Sequence, residues 1–150
     1  MKFLIQRVKS AAVTIDGQTV GKIGTGYLIL CGVCDTDTTQ VADKLIKKAV
    51  NLRIFEDENG KTNLSIQAVE GSLLVVSQFT LYADCKKGNR PSFVKAGDPV
   101  HAKELYDYIL QEFSATYGLP VQSGEFGADM EVSLVNDGPF TVMLDSAELI

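Results

Sequence analysis

The run Leu73-Leu74-Val75-Val76 constrains this chain more than any other stretch. Four consecutive apolar residues, two of them β-branched, leave no polar face to turn toward water, so the run reads as a central strand. It passes abruptly into Ser77-Gln78-Phe79-Thr80. Strand alternation carried onward would put Gln78 and Thr80 on one face and Ser77 and Phe79 on the other. Polar side chains at the end of such a strand need partners: sheet-edge backbone for Ser and Thr, a neighbouring strand for Gln78, or a ligand.

Other strands gather around this one. Phe3 to Val8 and Ala12 to Ile15 read as two strands, and Asp16-Gly17 as a tight hairpin turn into Gln18 to Ile23. Tyr27 to Val33 is a second continuous apolar run. Val121 to Ser123, Met130 to Val135 and Phe140 to Leu144 complete the strand candidates. Two helices are expected. The first is capped by Asp37, with Gln40 placed to reach back to the cap, and carries a stripe of Val41, Ala42, Leu45, Ile46, Ala49 and Val50. Lys44, Lys47 and Lys48 lie off that stripe, on a solvated face or an RNA contact. The second helix runs from the cap Asp98 and Pro99 to Gly118, and Pro120 prevents its resumption. Its core stripe is Ala102, Leu105, Ile109 and Phe113. The expected fold is one compact α/β domain over residues 1–150, mostly antiparallel and barrel-like, with two main helices.

Composition narrows the classes of function. No apolar run approaches the ~18 residues that span a bilayer, and the apolar start Phe3-Leu4-Ile5 is too short for a secretory signal, so a cytoplasmic protein without a membrane partner is expected. Three cysteines do not make a disulfide framework. Cys31 and Cys34 form a C-x-x-C, but Cys31 ends a strand-like run and no second ligand pair exists, so both read as small buried or half-buried thiols. A net charge of −5 argues against a protein that coats DNA or RNA through its phosphates, though not against recognition of one RNA end.

Standard catalytic sets are missing. His101 is the only histidine, in the first turn of a capped helix, where a neutral or exposed surface position suits it and no Ser-His-Asp set can be built. There is no metal-ligand cluster, phosphate-cradling loop or dinucleotide fingerprint, so neither metal nor cofactor is expected. The segment Val135-Asn136-Asp137-Gly138-Pro139-Phe140-Thr141 joins two strand-like runs with turn residues, which makes a hairpin tip its default reading.

Taken together, Ser77-Gln78-Phe79-Thr80 and Asn136-Asp137-Gly138-Pro139-Phe140-Thr141 resemble the two signature segments of the D-aminoacyl-tRNA deacylases. Gln6-Arg7-Val8, the loop Lys87 to Phe93 and Gly124 to Met130 are similar to that family as well, in order and separation along almost the whole chain. The resemblance implies a homodimer that hydrolyses the ester between a D-amino acid, or mischarged glycine, and the 3′ end of tRNA. It also implies a cis Gly138-Pro139 bond that reaches the partner's active site and excludes L-amino acids, with Asn136 and Thr141 in the same motif and Arg7 holding it. Ser77, Gln78, Phe79 and Thr80 become the catalytic segment. Thr80 is either a nucleophile or, with Phe79, a source of backbone N–H groups that stabilise the oxyanion in a reaction assisted by the substrate's 2′-hydroxyl. Lys86, Lys87 and Arg90, beside the first signature, are candidate tRNA contacts or a solvated loop. An RNA-end binding module without catalysis and a generic esterase are the competing classes.

Because an acidic protein grips few phosphates, tRNA binding is predicted to weaken only shallowly with salt. Titration between about 50 and 200 mM salt checks this, and the 10³- to 10⁵-fold loss of a many-phosphate binder would contradict it.

Overall fold

The computed structural model describes residues 1–149. Its spine is β1 (Lys2–Ile15), a single strand of 14 residues where two had been expected. The polar Lys9-Ser10 step does not end the strand. Opposite it, Val8 pairs with Asn136 and Ser10 with Val135, so Lys9 is an extra residue absorbed as a β-bulge. Asp16 and Gly17 both have positive φ, 49° and 77°, the backbone of the tight turn expected there. They lead into β2 (Gln18–Ile23), antiparallel to the far half of β1.

β3 (Gly26–Gly32) pairs antiparallel with the near half of β1. The chain then crosses through α1 (Thr39–Asn51) and a small separate hairpin, β4 (Phe55–Glu56) with β5 (Thr62–Leu64), which sequence reasoning did not anticipate. It returns as β6 (Ser72–Ser77), parallel to β3 and fully buried from Leu73 to Val76. β6 is flanked on its other side by β7 (Val121–Ser123), also parallel. β8 (Glu131–Asp145) runs antiparallel along almost all of β1.

The result is a mixed sheet in the order β2-β1-β3-β6-β7, with β8 on β1. It nearly closes on itself: a Cβ added at Gly21 of β2 would lie 2.8 Å from the Ser123 carbonyl oxygen of β7. The α/β class, the single domain core and the barrel-like closure agree with the sequence reading. β6 is central as expected, but its two partners are parallel because α1 and α2 (Pro99–Ala115) carry the crossovers.

Both helices bury the faces their spacing indicated. Ala42, Leu45, Ile46, Ala49 and Val50 are buried on α1, while Lys44, Lys47 and Lys48 are exposed. On α2 the buried residues are Leu105, Tyr106, Ile109 and Phe113. Tyr106 was not expected there; its hydroxyl donates to the Val75 carbonyl at 2.7 Å and ties the helix to the central strand. The α1 cap differs from expectation. Thr38, not Asp37, accepts from the Val41 N–H, and Gln40 makes no capping contact. Asp37 is instead buried, accepting from the Met1 ammonium at 2.7 Å and the Cys34 N–H at 2.8 Å. Two carboxylate-strength interactions outweigh one cap, so Asp37 goes to the interior and its neighbour caps. Asp98 caps α2 through the Val100 and His101 N–H groups, and Gly118, φ 64°, ends the turn after it. α3 (Ser146–Leu149) is a single turn. No helix among the described residues is long and apolar enough to cross a membrane.

Closure depends on the close approach at Gly21. Gly21→Ala is expected to destabilise the fold by about 1–3 kcal/mol, because backbone rather than a flexible side chain must shift. A lowered urea midpoint at unchanged m-value checks it.

Candidate active site

The end of β6 does not continue as a strand. Ser77 is its last residue, and Phe79–Tyr82 turns as a short 3₁₀ helix with Gln78 at its cap position. The alternation expected through Thr80 therefore stops at Ser77. Gln78 and Thr80 still meet, because the turn folds the Gln78 amide onto the Thr80 hydroxyl, to which Nε2 donates. The Gln78 N–H donates to the Cys31 carbonyl at 2.7 Å, anchoring the turn to β3.

Ser77, Gln78 and Phe79 line a cavity of about 600 Å³, the size of a small-ligand site. Its other walls come from Cys31 and Val33, from Phe93, Ala96, Gly97 and Pro99, and from the Phe126 to Met130 segment. Phe79 is 57% exposed at the rim and meets Phe93 edge-on, with ring centroids 5.3 Å apart. Thr80 is exposed and does not line the cavity. Lys86, Lys87 and Arg90 stand on an exposed loop closed by the Asp84–Ser92 backbone pair, one residue before Phe93. The Phe126 to Met130 wall could have been found only through the family-like Gly124 to Met130 segment. Nothing in its composition marks it as a site.

No strong base faces this cavity. His101 is half-buried, its Nε2 3.0 Å from the Asp37 carbonyl, and it is absent from the lining. Cys31 does line it, but burial pushes its thiol up to about 12, so it stays protonated and non-nucleophilic near neutrality. Among the described residues, Asp129 is the one carboxylate in the wall. Among the described residues no three of His, Cys, Asp and Glu gather as a metal site requires.

The second segment lies elsewhere. It is not a hairpin tip, because both halves of β8 run along β1 in one direction. Between the pairs Gln6↔Thr141 and Val8↔Asn136, β1 has only Arg7, while β8 has Asp137, Gly138, Pro139 and Phe140. Those four residues loop out of the ladder, and the Gly138-Pro139 peptide bond within them is cis.

The lost ladder bonds are replaced by side chains. Arg7 is only 4% exposed; its Nε donates to the Asp137 carbonyl at 3.0 Å and stands 3.3 Å from the Asp137 carboxylate. Its guanidinium carbon is 4.5 Å from the centre of the Phe140 ring. Asn136 donates its amide to the Arg7 carbonyl at 3.0 Å and the Phe140 carbonyl at 3.2 Å, pinning both ends of the loop. Gln6 donates to the Thr141 hydroxyl at 3.2 Å. Gly138 and Pro139 are exposed, and no residue of this loop lines the cavity of the same chain.

Within one chain, then, a cavity floored by the end of a central strand has the size of a small-ligand site and no strong side-chain base, and the arginine-braced loop stands apart from it. A family model described as D-Tyr-tRNA(Tyr) deacylase matches residues 4–145. The chain is 52% identical over 149 residues to D-aminoacyl-tRNA deacylase of Thermosipho africanus, with 99% of each chain covered. It is 56% identical over 149 residues to the protein of that name from a Nitratiruptor species, covering 99% and 100%. Among solved structures it is similar to the c-Myc DNA Unwinding Element Binding Protein, at a TM-score of 0.90 and 39% identity over 97% of this chain and 98% of that one. A probable eukaryotic D-amino acid tRNA deacylase shares the fold, with a TM-score of 0.83 at 17% identity over 95% and 97%. The chain belongs to the D-Tyr-tRNA(Tyr) deacylase family, a family of aminoacyl-tRNA ester hydrolases.

The protonated state of Cys31 is testable. Iodoacetamide at pH 8 is expected to label exposed Cys85 and leave Cys31 unmodified, read by peptide mass spectrometry. Burial both keeps this thiol protonated and limits access to it, and rapid labelling of Cys31 in the folded protein would contradict that.

Proposed function

We propose that this protein hydrolyses the ester of D-aminoacyl-tRNA and of mischarged glycyl-tRNA, working in the cytoplasm as a homodimer that proofreads chirality. One observation carries the chemical half of this reading. The recorded partner of the Thr80 hydroxyl is the Gln78 amide, a donor and not a base. A threonine nucleophile needs a base to take its proton, and an N–H directed at its oxygen works against that. The favoured route is therefore substrate-assisted, with the 2′-hydroxyl of the terminal adenosine taking part.

What the protein contributes is backbone. The first N–H groups of a helical turn have no partner within it, and in the turn after β6 these belong to Phe79 and Thr80. Aimed at the ester carbonyl, such donors would stabilise the oxyanion as it forms. Ser77 and Gln78 line the cavity beside them, and Lys86, Lys87 and Arg90, exposed on the neighbouring loop, would meet phosphates near the acceptor end.

The chiral half rests on the braced loop. An enzyme that accepts many D-side chains cannot select by a side-chain pocket, where one methylene is worth only about 1–3 kcal/mol. A rigid backbone wall placed where every L-side chain must point rejects all of them by clash. Gly138 and Pro139 are that wall, inserted into the cavity of the partner subunit and flanked by Asn136 and Thr141. Their exposure and their separation from this chain's own cavity favour action across a subunit interface. Glycine has no side chain to clash and passes.

Two experiments test the reading. With D-tyrosyl-tRNA, L-tyrosyl-tRNA and a simple D-amino-acid ester as substrates, rapid release of amino acid from the first alone is expected; no release from any would leave an RNA-binding module. In single turnover, Thr80→Ala is expected to keep activity within about tenfold of the parent, the range lost when a neutral hydrogen bond is removed. Near-complete loss with intact tRNA binding would make Thr80 the nucleophile.

A further inference from the structure

A buried guanidinium needs partners for its charge and its donors, and those of Arg7 are divided between two pieces of chain. In the looped-out segment Asp137 accepts from Nε and the Phe140 ring lies against the cation. The other goes to the small hairpin that neither signature segment includes. Arg7 Nη1 donates to the Ile54 carbonyl at 2.5 Å, immediately before β4, and the guanidinium carbon is 5.9 Å from the centre of the Phe55 ring. Phe55 is buried and stacks on Tyr27 of β3, with ring centroids 5.4 Å apart and planes 20° from parallel. Burial raises the Tyr27 hydroxyl well above its ordinary range, and the nearby Arg7 charge opposes that rise.

The hairpin is tied together by its own hydrogen bonds. It forms its own two-stranded sheet, apart from the main one. Arg53 donates to both the backbone carbonyl and the side chain of Asn63 across it. Asp57 closes its tip by accepting from the Asn59 N–H at 2.9 Å and the Lys61 N–H at 3.0 Å. The guanidinium therefore joins a hydrogen-bonded hairpin on one side to a loop with few ladder bonds on the other.

We propose that the β4–β5 hairpin is the buttress of the Gly138-Pro139 loop, and that Phe55 is a positioning residue for chiral selectivity, acting through Arg7. This rests on the reading of that loop as the filter. Rejection by steric clash falls off steeply with distance, because a radial gap of 0.5–1 Å changes a van der Waals contact by a large fraction. A D-amino acid, whose side chain points away from the wall, does not feel the same displacement. Loosening the support should thus raise hydrolysis of L-substrates while leaving D-substrates nearly unchanged.

The test uses the full-length protein with Phe55→Leu, Arg7→Lys, the two combined, and Pro139→Ala as the direct perturbation of the filter. Amino-acid release from D- and L-tyrosyl-tRNA is measured in single turnover. Phe55→Leu is expected to raise the L:D rate ratio roughly threefold to tenfold, the range of a partly buried cation–π contact, with the D rate within about twofold of the parent. In the Arg7→Lys background Phe55→Leu should add nothing further, since its route is already broken. If Phe55→Leu loses cooperative thermal unfolding, Phe55→Met takes its place under the same criteria. An unchanged ratio for Phe55→Leu while Pro139→Ala relaxes selectivity would overturn the buttress and leave the filter standing. Effects that multiply in the double variant would also overturn it. An unchanged ratio in Pro139→Ala would overturn the filter reading, and this inference with it.

Discussion

Backbone pairing along β1 is the constraint on which the rest of the structure depends. Its 14 residues carry β8 along nearly their whole length and divide the opposite edge between β3 and β2. A strand shared in this way must bend, and the extra residue at Lys9 supplies part of that bend. β2 is thereby brought to within a carbonyl's reach of β7, and the sheet nearly closes. The end of β6, where the cavity lies, is positioned by the same chain of pairings through β3.

The ladder opens at one place on the β8 side, opposite Arg7. Four residues leave it together, and their carbonyls and N–H groups lose sheet partners. A buried cation and a carboxamide take over: Arg7 holds Asp137 and lies against Phe140, and Asn136 bridges the two ends. Buried charges are tolerated only when their donors are filled, so Arg7 is as dependent on the loop as the loop is on Arg7. Its second attachment, to Ile54 and Phe55, connects the loop to the interior.

Much of this was legible in the chain. The 3.6-residue spacing on both helices, the Asp98-Pro99 and Gly118-Pro120 brackets, and the Asp16-Gly17 turn are local signals, and the structure follows each of them. The first site segment was visible as a polar break after Leu73 to Val76, and the second as a turn-rich interruption. Errors fell where a local pattern had two solutions. Lys9-Ser10 could end a strand or bulge within it, and Asn136 to Thr141 could reverse the chain or leave and rejoin a ladder. Asp37 could cap α1 or pair with the Met1 ammonium, and the stronger partner won. The β4–β5 hairpin was missed because its strands are two and three residues long, too short to show any period.

The sequence by itself determined most of the longer elements, the buried faces of both helices and the family, since all of these reside in residue type and spacing. Only the tertiary structure decided that β6 has parallel neighbours and that its last residues turn into a cavity. It also decided that Gly138-Pro139 is a bulge braced by Arg7 rather than a hairpin tip. Each of these depends on which distant backbone groups become partners. Hydrogen-bond pairing between segments distant along the chain leaves no periodic mark on either one.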